Sequence, residues 1–333
     1  MTAGSFTAPQ ATPTSSRPSP GAAIASVGVS LPAQVVSNAA VAERLGRDPQ
    51  WIERRTGIRS RRIAEPDESL TEHAATAGER ALARAGVRAE ELDLVLVATT
   101  TADEVMPNAA PLVAHRLGAA RAGAFDIGAA CTGFVSALAV GSGQIEAGRA
   151  RNVLVVGADF MSRVIDPYDP PTAAVFADGA GAIVLVASEQ PGRIGPIVMG
   201  ADGTGAEHIV VPRDGGKMAM RGHETFREAV ARLSMATTQA IEAAGVALED
   251  IDLFVYHQAN GRILSAVGER LGLADNQVVD CIGEYGNTSA ATLPLTLAFS
   301  EQEGRLNDGD LVLIGAFGAG FTWGATVVEW GRA

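Results

Sequence analysis

The chain has 333 residues, 47% hydrophobic and 19% charged, enough to bury one large core or two. Its formal net charge of −12 argues against a nucleic-acid binder, because phosphate contacts need a basic surface. Two distant cysteines make no disulfide framework and point to a reducing, cytoplasmic compartment, and no long uninterrupted apolar run suggests a membrane span.

Residues 1–20 are rich in Ser, Thr, Pro and Ala with a single charge, Arg17, and read as a disordered tail rather than a secretory signal. An apolar, β-prone run, Ala22–Leu31, is closed by Pro32, and a polar helix follows over Asn38–Leu45. The next segment holds the only concentrated basic stretch: Arg54, Arg55, Arg59, Arg61 and Arg62 lie within nine positions, just after Trp51. Charge alone favours a solvated face pairing with Glu65 and Asp67. The alternative is a phosphate contact with Trp51 free to stack on a flat ring.

An Ala-rich helix (Thr71–Ala85), a turn at Gly86, a strand over 93–100 and a helix over 110–117 lead to the central stretch. There a short strand, Phe125–Ile127, and a Gly/Ala turn precede a helix predicted to begin near Cys131. No charge falls between Asp126 and Glu146, so this helix belongs in the centre of a large molecule. A thiol at a helix N-terminus feels the positive end of the macrodipole, which favours thiolate and makes Cys131 a candidate nucleophile. Buried strands over 151–159 and 176–187 follow.

The second half repeats the first. ALARAGVRAEELDLVLVATT (81–100) aligns with AIEAAGVALEDIDLFVYHQA (240–259), and VLVVGAD with LVLIGAF, which puts Gly86 and Gly245 159 apart and Gly157 and Gly315 158 apart (245 − 86 and 315 − 157). The halves divide at 21–190 and 191–333. Each alternates strand and helix, predicting mostly parallel, mixed sheets of an α/β fold. An uncharged stretch, 286–300, mirrors the Cys131 helix and puts Asn287 where Cys131 stands. Two apolar helices between two sheets imply a five-layer α-β-α-β-α arrangement with their N-termini close together.

A thiolate nucleophile needs a proton partner, and acyl chemistry needs oxyanion donors. His257 ends a strand, where open α/β sheets gather ligands. Asn287 opens the second central helix, and the loop GAFGAGFTWG (315–324) offers backbone amides with little side chain in the way. Cys281 and the other four histidines read as structural or surface groups.

Together DIGAACTGF, HQANGRI, EYGNTSAAT, AFGAGFTWG and WIERRTGIRSRRIA resemble the thiolase-fold condensing enzymes, specifically β-ketoacyl-acyl-carrier-protein synthase III, over about residues 22–331. The resemblance implies that Cys131 takes an acyl group from acyl-CoA. His257 and Asn287 then stabilise the enolate formed when a malonyl carrier protein loses carbon dioxide, and the amides of Cys131 and Ala319 form the oxyanion hole. Ala319 replaces a family glycine, but only the amide is needed. Trp51 and Arg55 match residues flanking the CoA nucleotide, which reverses the reading of that patch from charge alone. Met106, from a partner subunit of a homodimer, and Phe317 match the acyl pocket. Arg227 and Arg262 match positions that dock the acidic carrier protein.

A second family arginine at the nucleotide is replaced by Pro170. With the flexible Met106 and the tail, this suggests a polyketide-priming member taking a longer or branched starter. No cofactor or metal is implied beyond acyl-CoA as substrate and the carrier protein's phosphopantetheine. An acyltransferase moving the acyl group to an alcohol or amine is the rival on the same nucleophile. A non-catalytic partner subunit is the non-enzyme alternative, against which the intact Cys131, His257 and Asn287 argue.

Overall fold

A computed structural model describes residues 20–331, so the Ser/Pro-rich tail lies outside the described residues but for Pro20. The first half runs β1 (Gly21–Ser30), β2 (Val35–Ser37), α1 (Asn38–Leu45), α2 (Pro49–Thr56), β3 (Ser60–Arg62), α3 (Leu70–Ala85), β4 (Leu94–Ala98), α4 (Ala109–Leu117), β5 (Gly123–Ile127), α5 (Gly133–Glu146), β6 (Asn152–Phe160), α6 (Pro170–Ala173) and β7 (Asp178–Ser188). The second runs β8 (Val198–Ala201), β9 (Ile209–Val210), β10 (Ala219–Met220), α7 (Gly222–Ala244), β11 (Leu253–Tyr256), α8 (Gly261–Leu271), α9 (Ile282–Tyr285), α10 (Thr292–Gln302), β12 (Leu311–Gly318) and β13 (Thr322–Glu329). Helix ends follow local chemistry. Ser37, Asp48, Ser69 and Asn260 cap N-termini through their side-chain oxygens, and left-handed glycines such as Gly86 and Gly245 close C-termini.

Two sheets, ordered β1-β7-β6-β4-β5 and β11-β12-β13-β8, enclose α5 and α10. Phe134 and Leu138 of α5 and Leu293 and Leu297 of α10 pack with inward residues of both sheets, including Val155 and Ile314. A second apolar layer lies between the first sheet and α3 and α4, and a third between the other sheet and α7 and α8. The five layers α-β-α-β-α are therefore present. The sheets are mixed but not mostly parallel, as the strand–helix alternation had led us to expect. Only β4–β5, β4–β6 and β11–β12 run parallel, while the other four pairings are antiparallel. The reason is that β6–β7 and β12–β13 are joined without a crossing helix of full length. Among the described residues, no helix is long and apolar enough to cross a membrane.

The internal repeat has one offset through most of its length. β4 and β11 begin 159 apart (253 − 94), the turns before the central helices 159 apart (289 − 130), and the helices themselves 159 apart (292 − 133). Strand register gives the same value. Val97 pairs with Val156 and Tyr256 with Gly315, so Gly315 corresponds to Val156 rather than to Gly157. The equivalence of Asn287 with Cys131 is corrected for the same reason. Cys131 corresponds to Ala290, and Asn287 to Gly128. α10 is three residues shorter than α5 (11 against 14), but β6 and β12 after them again begin 159 apart (311 − 152), so an offset of 156 does not apply at the helix starts.

Candidate active site

Cys131 sits in a single 3-10 turn, Ala130–Thr132, just ahead of α5. Ala130 before it is in the left-handed region (φ 46), as is its repeat counterpart Ser289 (φ 53), and these are the two non-glycine residues with positive φ among the described residues. Such a backbone costs on the order of 1–3 kcal/mol and marks a turn that its surroundings over-determine. The two turns meet across the pseudo-twofold: the Ser289 hydroxyl donates to Cys131 Sγ at 3.5 Å.

Burial opposes the macrodipole at the Cys131 thiol. Burial pushes the Cys131 thiol up to about 12; the Ser289 hydroxyl opposes this, and the Asp159 carboxylate adds to it. Desolvation of a thiolate at this depth outweighs the partial charge of one helix end. This favours the neutral thiol at rest.

His257 follows β11 and is 2% exposed. Burial pushes its imidazole down to about 3, so the ring is neutral near pH 7. Its Nδ1 lies 2.6 Å from Thr292 Oγ1 on α10. Asn287 is buried ahead of the second central turn, where the Ser289 backbone N–H donates to its Oδ1 at 2.9 Å. That bond fixes the amide so that Nδ2 is the free donor end, with one long contact, 3.5 Å, to the Ala259 carbonyl.

Behind both turns stands Asp159, fully buried at the end of β6. One carboxylate oxygen accepts from Thr99 Oγ1, Thr100 N, Thr100 Oγ1 and Thr101 Oγ1, and the other from Ala290 N. Burial pushes its carboxyl up and these donors hold it down. Asp159 thereby ties the 99–101 loop of one half to the helix turn of the other.

The glycine loop approaches Cys131 closely. A Cβ on Gly318 would lie 3.0 Å from Cys131 N, tighter than ordinary contact, so glycine lets β12 pass there without pushing on the cysteine turn. Thr322 donates to the Ala319 carbonyl at 3.1 Å and its hydroxyl lies 2.8 Å from that of Thr132, which registers the loop against the cysteine turn. Ala319 does not take a left-handed backbone, so alanine replaces glycine there without strain.

These groups line one cavity of about 1190 Å³. Cys131, His257, Asn287, Phe317 and Ala319 lie along it, and Trp51, Arg55 and Arg262 are also among its lining residues. Met106 and Arg227 are not among them: both are exposed, Met106 at 83%. Arg61 of the basic segment is 1% exposed and donates to Asn38 Oδ1 and the Ala173 carbonyl, so it is a buried strut rather than a surface charge. Among the described residues no cluster of His, Cys, Asp or Glu is arranged to hold a metal ion.

Sequence reasoning missed Ser289, Thr292, Asp159 and the Thr132–Thr322 pair. Ser289 and Thr292 lie inside the uncharged stretch that was singled out for its lack of charge. Asp159, the one acid in VLVVGAD, was the available signal: an ionisable residue ending a buried strand needs several donors.

The profile of a family described as 3-oxoacyl-[acyl-carrier-protein] synthase III matches residues 125–203, and that of its C-terminal part matches 241–330. A Streptomyces coelicolor protein named β-ketoacyl-[acyl-carrier-protein] synthase III 2 is 45% identical, over 94% of this chain and 95% of its own. Among solved structures, the priming β-ketosynthase of the R1128 polyketide pathway has a TM-score of 0.91 at 38% identity, covering 96% of this chain and 99% of its own. The 3-oxoacyl-(acyl carrier protein) synthase III of Pseudomonas aeruginosa has a TM-score of 0.89 at 40% identity, covering 94% and 99%.

Proposed function

Since the chain belongs to the 3-oxoacyl-[acyl-carrier-protein] synthase III family, we propose that its cavity joins an acyl starter held on Cys131 to a malonyl carrier protein by decarboxylative condensation. Acyl-CoA is the donor, and the product starts a fatty acid or polyketide chain. The observation that carries this reading is the pairing of a neutral imidazole with an amide locked as a donor, beside one thiol, in one cavity.

In the first half-reaction the Cys131 sulfur attacks the acyl thioester carbonyl. Its C–S bond forms, the bond to CoA breaks, and the thiol proton leaves with the CoA thiol. Because the thiol is pushed up to about 12, its proton is lost as the new bond forms rather than beforehand. The amides of Cys131 and Ala319 hold the tetrahedral oxyanion, each such donor being worth about 10²–10³ in rate.

In the second, the carboxylate–carbon bond of the malonyl thioester breaks and carbon dioxide leaves with its electrons passed to the thioester carbonyl oxygen. His257 and Asn287 Nδ2 donate to that oxygen. Donation from Nε2 requires the tautomer in which Nδ1 accepts the Thr292 hydroxyl proton across 2.6 Å, in place of that hydroxyl's 3.1 Å bond to the Ser289 carbonyl. A neutral donor suits a developing enolate, and a ring held well below its usual pKa does not trap the enolate as an ion pair. The carbanion then attacks the acyl-Cys131 carbonyl, its C–S bond breaks, and the Cys131 thiolate that leaves takes a proton from solvent to restore the thiol.

A homodimer is supported by the open edge of the first sheet. β5 is an edge strand with Phe125 46% exposed, and Val105 and Met106 are exposed apolar side chains. Met106, outside its own cavity, is then available to close a partner's acyl pocket. Exposed Arg227 and Arg262 offer positive charge to an acidic carrier protein. The cytoplasm, where both thioesters are made, is the compartment we assign. No observation favours transfer to an alcohol or amine.

Intact-mass measurement after incubation with an acyl-CoA panel tests the nucleophile. An acyl adduct is expected on the wild type and none on Cys131→Ala; the same adduct on that variant contradicts the assignment. Asn287→Asp is expected to acylate normally while malonyl decarboxylation falls at least tenfold.

A further inference from the structure

The indole of Trp51 on α2 lines the cavity and has two guanidinium groups beside it. That of Arg55 lies 5.2 Å from the ring centroid and that of Arg47 lies 5.6 Å away. Both arginines are exposed, and no acidic side chain pairs with either among the described residues, whereas their neighbour Arg54 reaches Asp48 at 3.8 Å. Arg47 is also held by its backbone. It follows the left-handed Gly46 that ends α1, donates its N–H to the Ala42 carbonyl at 2.9 Å, and immediately precedes Asp48, the N-cap of α2. Two unpaired guanidiniums fixed at one aromatic ring, in a chain of net charge −12, make a local anion site on an otherwise acidic molecule.

Pro170 also lines the cavity and brings no charge to it. Arg47 lies in no motif that pointed to nucleotide binding. Cation–π contact at an exposed ring is weaker than a charge-assisted hydrogen bond to phosphate, so both guanidiniums can leave the indole for an incoming phosphate.

We propose that Arg47 is a nucleotide-binding residue. With Arg55 it grips phosphates of the adenosine end of coenzyme A while the adenine stacks on Trp51. The inference rests on the reading that Cys131 is loaded from acyl-CoA. A carrier protein presents the same phosphopantetheine arm without the adenosine nucleotide, so Arg47 also favours the free coenzyme over a carrier protein as donor.

The test measures Cys131 acylation in full-length wild type, Arg47→Ala and Arg47→Lys. Donors are whichever of acetyl-, butyryl- and isobutyryl-CoA loads fastest, and the same acyl group on pantetheine and on a carrier protein. For Arg47→Ala the half-saturating acyl-CoA concentration is expected to rise about tenfold with the maximal rate within twofold, and Arg47→Lys is expected to recover part of the loss. The ratio of kcat/KM for acyl-CoA over acyl-pantetheine should fall by the same factor. An unchanged half-saturating concentration in Arg47→Ala overturns the inference alone, as does an equal loss with acyl-pantetheine. A wild type loaded by carrier protein but not by acyl-CoA overturns the donor reading and this inference with it.

Discussion

Two groups set the chemistry at the scale of single residues, and both sit far from their ordinary pKa for the same reason. Cys131, pushed up to about 12, remains a thiol across the working range. Its alkylation by iodoacetamide should therefore climb about tenfold per pH unit from pH 6 to 9, whereas a dipole-lowered thiol would level off below pH 8. Ser289→Ala removes the hydroxyl at 3.5 Å and is expected to slow alkylation several-fold at fixed pH; an unchanged rate would take Ser289 out of the site. His257 is pushed down from 6.5 to about 3, so between those values the unfolded chain binds a proton that the native site refuses. Its contribution to stability is thus present above pH 6.5 and is lost as pH falls toward 3, reaching about 2 kcal/mol at pH 5. Urea titrations of wild type and His257→Gln at pH 5 and 7.5 check this, the wild type losing more on acidification. Residue types alone made Cys131, His257 and Asn287 legible as candidates. The protonation state of Cys131 was not, because burial depth is set by the second sheet and not by the neighbours in sequence.

Elements were legible where local chemistry fixes them. The helix over Asn38–Leu45 is capped by Ser37 and Gly46 and lies where the sequence places it. The central helices were found by their lack of charge, and α5 packs Phe134 and Leu138 at 0% exposure, although Val140 reaches the surface at 37%. Leu138→Ala is expected to cost about 3 kcal/mol in urea unfolding and Val140→Ala less than about 1, a contrast that disappears if α5 is not in the core. Two features needed tertiary information. Strand direction in β7 and β13 depends on connections that fold straight back, and the register of the central turns depends on carrying the 159 offset through to Ala130 and Ser289, where no matching residue marks it. The second matters for function. Asn287 is not the image of Cys131 but lies three residues ahead of its counterpart, Ala290, so the duplicated turns supply the Cys131 thiol on one side and its hydrogen-bonding neighbour Ser289 on the other.

At the scale of the whole molecule, the pseudo-twofold brings two helix starts together, and Asp159 and Gly318, at equivalent positions in the repeat (318 − 159 = 159), hold them. Asp159→Asn is expected to lower both thermal stability and condensation rate, since the 99–101 loop and Ala290 share that one carboxylate. Light scattering is expected to give a dimer mass, and Met106→Ala to shift the preferred starter without altering His257-dependent decarboxylation; a monomer with full activity would contradict the partner role. The central claim, that one cavity couples acyl-Cys131 to decarboxylation, is tested most directly by mixing the full chain with an acyl-CoA and malonyl carrier protein and counting carbon dioxide against β-ketoacyl product. Equal amounts of both, abolished in Cys131→Ala, are expected. Acyl transfer from Cys131 to an acceptor with no release of carbon dioxide would contradict the account.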